Sequence, residues 1–241
     1  MSSANDDLQA VLNDLLSDRR ELRVLEAGCG SGSHVQIPNV GRLVGIDISE
    51  DQLRKNDVLD EKILGDLEQY PFAANDFDVA VCWDVLEHLP TPSKALMNMS
   101  RALKEGGILV LAMPNLLSVK GIVTKLTPFW FHVFVYRYVL GDKSAGTSDF
   151  RQFPTYLRWS ITPSSMLAFA RTNGLNVRFF HVYEGPVQQA LRKRSRLADL
   201  AFAAVGVVSK VLSFGRLNLN HSDYMIVLEK PASAMASSRK N

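Results

Sequence analysis

The chain has 241 residues, 46% apolar and 22% charged, with a formal net charge of +2. That length suits one α/β domain with insertions and a substantial core, and so small a charge gives no argument by itself for a nucleic-acid partner. The two cysteines, Cys29 and Cys82, fall at expected strand ends, which argues against a disulfide framework and for a reducing, cytosolic setting.

The first residues lack a basic start followed by an apolar core. No uninterrupted apolar run reaches the roughly 18 residues of a membrane-spanning helix. Leu8, Val11, Leu12, Leu15 and Leu16 recur at helical spacing, which predicts an amphipathic helix over residues 5–18. Such a helix either covers a ligand or packs on the sheet edge. Leu22 to Glu26 reads as the first strand, running into Ala27-Gly28-Cys29-Gly30-Ser31-Gly32. Alternating glycines let the chain turn sharply and bring the main chain close to a ligand. The carboxyl end of a parallel strand is where open α/β sheets bind ligands. The spacing is E-x-G-x-G-x-G, which is neither a dinucleotide fingerprint nor a P-loop.

Ser33 to Val40, interrupted by Pro38, leave room for only a short helix. Leu43 to Asp47 is the second strand. Its terminal acid, Asp47, is placed to grip two ribose hydroxyls. Ser49 and Gln52 form a capping box for a helix over 50–59. Ile63 and Leu64 mark a third strand, with Asp66 just beyond. Phe77 to Trp83 is nearly continuous apolar sequence, as a parallel strand covered on both faces requires. Pro92 opens a helix that Gly106 and Gly107 are expected to end, before a strand from Ile108 to Met113. Thr162 caps a helix running from Pro163 to Asn173-Gly174. Val177 to Tyr183 and Tyr224 to Glu229 are the last strands, and 231–241 reads as a frayed tail.

Five stretches follow one another in a telling order. They are the glycine loop, Gly45-Ile46-Asp47-Ile48-Ser49, Leu64-Gly65-Asp66-Leu67, the run from Phe77 through Trp83-Asp84-Val85-Leu86-Glu87-His88-Leu89, and Leu103 to Val110. Together they resemble class I S-adenosylmethionine-dependent methyltransferases of the bacterial small-molecule type, over roughly residues 20–115. The resemblance implies an α/β, doubly wound, seven-stranded Rossmann-like fold of strand order 3-2-1-4-5-7-6 with the last strand antiparallel, and S-adenosylmethionine as cofactor. It further implies that Gly28, Gly30 and Gly32 wrap the methionine portion, with Ala27 and Cys29 lending backbone groups and Glu26 orienting the loop. Asp47 then takes the ribose hydroxyls and Ile48 flanks the adenine. Asp66 accepts from the adenine amine while the Leu67 N–H meets a ring nitrogen. Trp83 and Asp84 line the sulfonium side. Plainer roles stand beside these: turn or cap residues for Asp47 and Asp66, core for Trp83, structure for His88.

A single methyltransferase domain over 1–230 leaves two insertions, about 116–161 and 185–220. The first is rich in aromatics from Pro128 to Leu140, and supplies His132, Tyr136, Arg151 and Tyr156 as expected substrate contacts. A base is needed only where the nucleophile must lose a proton. His88, His132, Tyr136 and Tyr156 are candidates, and the sequence singles out no catalytic residue. The second insertion joins Arg192-Lys193-Arg194-Ser195-Arg196 to an apolar run from Leu197 to Val208. That pattern predicts either peripheral membrane contact through 187–216 or a solvated basic face on a packed helix. No RNA-binding module accompanies the basic run, and Trp83-Asp84-Val85-Leu86 stands where amino-nitrogen methylases carry Asn/Asp-Pro-Pro-Tyr/Phe, so nucleic acid is not expected as a partner. No cluster has metal-ligand spacing, so no metal is expected.

The expectation is methyl transfer to a hydrophobic or amphiphilic small molecule: a lipid, a quinone precursor, or a glycosylated or lipid-linked metabolite. The sequence does not separate oxygen from carbon as acceptor, nor specify the oligomeric state. The main alternative is a cofactor-binding, membrane-associated interaction protein without catalysis. Aminopropyl transfer from decarboxylated S-adenosylmethionine is a third reading, and the aromatic, basic insertions do not suit a polyamine acceptor.

Overall fold

The structure is a computed structural model that describes residues 4–33, 35–134, 137–138 and 155–232. Its strands are β1 (Leu22–Ala27), β2 (Val40–Asp47), β3 (Glu61–Leu64), β4 (Phe77–Trp83), β5 (Leu103–Pro114), β6 (Asn176–Tyr183) and β7 (Asp223–Glu229). They form one sheet in the order β3-β2-β1-β4-β5-β7-β6. The pairs from β3 across to β5 are parallel, and β7 runs antiparallel to both β5 and β6. The loops after β1, β2, β3 and β4 therefore leave the sheet along a single edge, which is where the site is built.

Each face of the sheet is covered by an apolar stripe. Helix α1 (Ala4–Leu16) buries Leu8, Leu12 and Leu16 against Val24, Val79, Ile108, Val110 and Met225. This decides between its two sequence readings: it packs on the sheet. On the other face α3 (Pro92–Ala102) buries Ala95, Leu96 and Met99, and α6 (Pro163–Thr172) buries Met166 and Ala170. Thr162 caps α6 as expected, its hydroxyl accepting from Ser165 N–H at 3.3 Å.

Three local expectations are corrected. No helix forms among the described residues between Gly32 and β2, where Pro38 lacks an N–H to donate. Helix α2 (Glu50–Lys55), capped by Ser49, stops well before residue 59. Asn56 turns extended there and aims its amide at the carbonyls of Cys29 and Gly30, 3.4 and 3.2 Å away, so the glycine loop takes the residue that would have continued the helix. Finally, Gly106 and Gly107 do not end α3. The helix ends at Ala102, because Leu103 is already paired with Phe77 in β5. Gly106, with φ +71°, lies inside that strand where its register with β4 shifts.

The two insertions are helical in their described parts. The first contains α4 (Val119–Leu126), α5 (Phe129–Phe134) and a short 3₁₀ turn at Trp159–Ile161. The second contains α7 (Pro186–Arg194) and α8 (Arg196–Leu212). The frayed tail expected over 231–241 lies, from residue 233 onward, outside the described residues.

Candidate functional site

The glycine loop is stapled to β2. The N–H groups of Gly28 and Cys29 both donate to Ile46 O, at 2.8 and 3.1 Å. Gly28 has φ +73°, and a Cβ there would lie 2.3 Å from Val85 Cγ2, so backbone conformation and close approach both demand glycine. At Gly30 and Gly32 a Cβ would meet nothing within 4 Å. Their main chain faces open space, which a ligand can approach closely.

Asp47 closes the next part of the wall. Its two carboxylate oxygens accept from Gly30 N–H at 2.9 Å and Ser49 N–H at 2.8 Å. Each oxygen keeps a lone pair for a further donor. Beside it Ile48 is 72% exposed, an apolar side chain held at a strand end without a protein partner over most of its surface. Glu26 sits behind the loop. It is buried, its Oε2 accepts no hydrogen bond, and burial pushes its carboxyl up against a lowering by the Ser33 hydroxyl. Asp66 has a turn role. It makes the turn after β3, accepting from Glu68 N–H at 2.9 Å and Gln69 Nε2 at 2.6 Å, and it also faces the cleft.

These groups line a cleft of about 550 Å³. Of the expected cofactor contacts, Gly28, Cys29, Gly30, Gly32, Asp47, Ile48, Asp66, Leu67, Trp83 and Asp84 are on its wall. Glu26 and Ala27 are not on it and stand one layer back in β1. Gln52, Gly65, Glu68, Val85, Leu89 and Pro90 also line it. The sequence reading gave these no part in the site, naming Gln52 only as a cap partner. His88 is on the wall too. Of the expected substrate contacts Tyr156 reaches the cleft, with the Arg158 guanidinium 5.4 Å from its ring centre. The Tyr156 and Leu157 N–H groups both donate to Glu87 O, which ties the end of the first insertion to the cleft wall. His132 lies on α5, but its side chain is outside the described set, and Tyr136 and Arg151 lie outside the described residues.

A polar cluster that the sequence reading missed lies beneath the Trp83–Asp84 corner. Lys120 of α4 meets Asp223 of β7 at 2.7 Å, and Ser222 Oγ donates to the other Asp223 oxygen at 2.6 Å. Asp84 has φ +52° and is exposed at the open cleft, close to Lys120 and Asp223. Burial pushes its carboxyl up to about 6. Lys120 opposes that rise and Asp223 adds to it. Burial, then Asp84, holds the Glu87 carboxyl well above the usual range. Burial likewise raises the Tyr183 phenol. Lys120 and Asp223 are 103 residues apart in sequence. No local pattern announces such a pair.

The sheet order and the acid-and-glycine wall define a class. Residues 25–111 match the family model described as a methyltransferase domain, and over that stretch the chain is similar to class I S-adenosylmethionine-dependent methyltransferases. Among its relatives is the ubiquinone biosynthesis O-methyltransferase of Pseudomonas aeruginosa, 28% identical over 166 residues that span 65% of this chain and 65% of the relative. The fold is similar to that of the [4+2]-cyclase SpnF, with a TM-score of 0.57 at 16% identity, covering 94% of this chain and 81% of that one. It is also similar to phosphoethanolamine N-methyltransferase 2 of Haemonchus contortus, solved with S-adenosylmethionine, with a TM-score of 0.55 at 18% identity, covering 95% and 53%. S-adenosylmethionine is the cofactor of this family. The site suits it in two respects: open space over Gly30 and Gly32, and a carboxylate at Asp47 locked by two N–H groups.

Proposed function

We propose that the protein transfers a methyl group from S-adenosylmethionine to a hydrophobic or amphiphilic small molecule. Quinone precursors are the favoured class, with lipids and lipid-linked or glycosylated metabolites as the wider one. The observation that carries this reading is the joining of two walls in one cleft. The glycine loop and Asp47 form the first, and Trp83, Leu89, Pro90 and Tyr156 form an aromatic and apolar second. The Pseudomonas relative's name supports the quinone-related choice.

S-adenosylmethionine, when bound, supplies a methyl group already activated by the sulfonium charge. The chain's own contribution is then alignment, since in-line displacement gains most from proximity and orientation. The loop glycines and Asp47 hold the cofactor, Ile48 flanks its base, the Leu67 N–H meets a ring nitrogen, and Asp66 takes its amine. Trp83 and Asp84 face the sulfonium. Tyr156 stands on the acceptor side, where it narrows access for water. The acceptor's apolar character also places the enzyme against a membrane surface. Among the described residues no helix is long and apolar enough to cross a membrane.

Titration calorimetry with S-adenosylmethionine and S-adenosylhomocysteine tests the cofactor half of the proposal. The wild type is expected to bind at micromolar concentration, and Asp47→Ala to lose about 1–3 kcal/mol by stranding the ribose hydroxyls. Labelled-methyl transfer into membrane and soluble extracts, and into a polyprenylated catechol, tests the acceptor half. Failure of the wild type to bind either compound overturns the proposal. Tight binding without transfer to any fraction favours the non-catalytic alternative.

A further inference from the structure

Helix α8 turns a narrow stripe toward the protein, with Phe202 and Val205 half-buried in it. Its inward stripe carries Gly206 and Ser209, both buried. A Cβ on Gly206 would lie 2.6 Å from Asn220 Nδ2, the Asn220 amide donates to Phe202 O at 2.7 Å, and the Ser209 hydroxyl accepts from Leu219 N–H at 3.3 Å. Small residues and hydrogen bonds thus fasten the helix to the loop that follows it. Most of the large apolar side chains face outward. Leu197, Leu200, Val207, Val208, Val211 and Leu212 are all exposed, and Phe214, just past the helix end, is 92% exposed. Leu200, Val207, Val208 and Val211 fall at i, i+7, i+8 and i+11, which is one face. Single exposed apolar residues need no explanation, but a continuous face marks an interaction surface.

Charge identifies the occupant. Residues 185–220 hold six basic residues and one acidic, Asp199. The rest of the chain holds twenty-one basic and twenty-four acidic, a net charge of −3. The protein's positive charge is thus concentrated beside the apolar face, with Lys193, Arg194 and Arg196 at one end and Lys210 and Arg216 at the other. Two copies meeting through this face would bring these cations together. An anionic bilayer takes the apolar side chains into its acyl boundary and the cations among its headgroups. At about 25 Å, α8 is long enough to lie in that plane.

We infer that α8, with the basic end of α7, is a monotopic foot that seats the protein on anionic lipid. This rests on the amphiphilic-acceptor reading for its purpose, and on the outward face of α8 for its evidence. The foot also connects to the site. Val119 N–H at the start of α4 donates to Leu219 O, on the loop that fastens α8. Further along α4, Lys125 Nζ donates to Leu157 O, beside Tyr156 on the cleft wall.

Flotation of the full-length protein with vesicles provides the test. Binding to phosphatidylcholine–phosphatidylglycerol vesicles is expected to exceed binding to pure phosphatidylcholine by at least about tenfold and to fall with added salt. The double variant Val208→Glu/Val211→Glu is expected to lose flotation while keeping the wild-type calorimetric titration with S-adenosylmethionine, which proves it folded. Lys193→Glu/Arg196→Glu is expected to lose the preference for anionic vesicles. The inference is overturned if the wild type does not float, or if the folded Val208→Glu/Val211→Glu variant floats as well as wild type. It is equally overturned if the face proves to be a dimer contact, seen as a wild-type dimer that ignores vesicles and becomes monomeric in that variant. Vesicle binding needs no cofactor, so its failure leaves the methyltransferase reading standing, and the converse also holds.

Discussion

Asp84 brings the most chemistry to one position. It follows β4 directly in the left-handed region, a conformation that non-glycine residues hold only when their surroundings enforce it. Its carboxyl, pushed up to about 6 from an ordinary 3.8, changes charge in an accessible pH range. On the proposed placement it faces the sulfonium, and a nearby cation favours the ionised form. Binding the cofactor then drags the pKa down, and linkage makes affinity fall as the pH drops through 6. Calorimetry at pH 5 and pH 8 is expected to find S-adenosylmethionine up to about tenfold weaker at the lower pH. S-adenosylhomocysteine, without the sulfonium charge, should change less, and Asp84→Asn should flatten the difference. An unaltered pH difference in that variant would remove Asp84 from the sulfonium side. The same raised value has a consequence for folding. Asp84 favours the folded state most below 3.8, and that contribution disappears as the pH rises through 6. Water in the open cleft keeps it small.

Tyr224 shows how one element anchors another. Its hydroxyl, fully buried on β7, donates to Ile161 O at 2.6 Å and so holds the 3₁₀ turn that leads into α6. Tyr224→Phe leaves that carbonyl buried and unpaired. The expected cost is about 1–3 kcal/mol, read as a lower urea midpoint with unchanged slope, and cofactor affinity is expected to stay at the wild-type value. A midpoint equal to wild type would mean that the turn finds another donor. Elements of this kind also mark what the sequence discloses. The glycine loop, Asp47 and the Ser49 and Thr162 caps are local, so spacing alone placed them. Asn56 ended α2 early because a carbonyl of the glycine loop, 26 residues away, claimed its side chain. Leu103 left α3 early because Phe77 offered a strand partner. Those choices belong to tertiary neighbours, as does the Lys120–Asp223 pair that spans the chain. Tyr156 was legible as an aromatic in an insertion. That it reaches the cleft wall beside Leu89 and Pro90 was not.

The whole molecule is a sheet whose strand order brings four loops to one edge, joined to each other by a handful of bonds and contacts. Across the cleft the loop after β1 meets β2 through Asp47 and packs Gly28 on Val85, Gly65 N–H donates to Asp47 O, and Thr91 N–H donates to the Glu68 carboxylate, so few bonds join one loop to the next. A ligand that touches all of them stabilises the folded chain alone, since the unfolded chain has no such edge. At a concentration near 100 times its dissociation constant it contributes about 2.7 kcal/mol. For a chain of this size, where each kcal/mol moves the melting temperature by about 2–4 °C, the expected rise is roughly 5–10 °C. Differential scanning fluorimetry with S-adenosylmethionine should read it. Asp47→Ala should show a much smaller rise at the same concentration, because it breaks the link between the second loop and the ligand. Val208→Glu/Val211→Glu should keep the full rise, because α8 contributes nothing to the cleft wall. A wild type that melts at one temperature with and without cofactor would mean that no ligand ties these loops together. The order of the strands would then be a shared architecture, as the likeness to a [4+2]-cyclase already allows, and the surface of α8 would be the protein's working part.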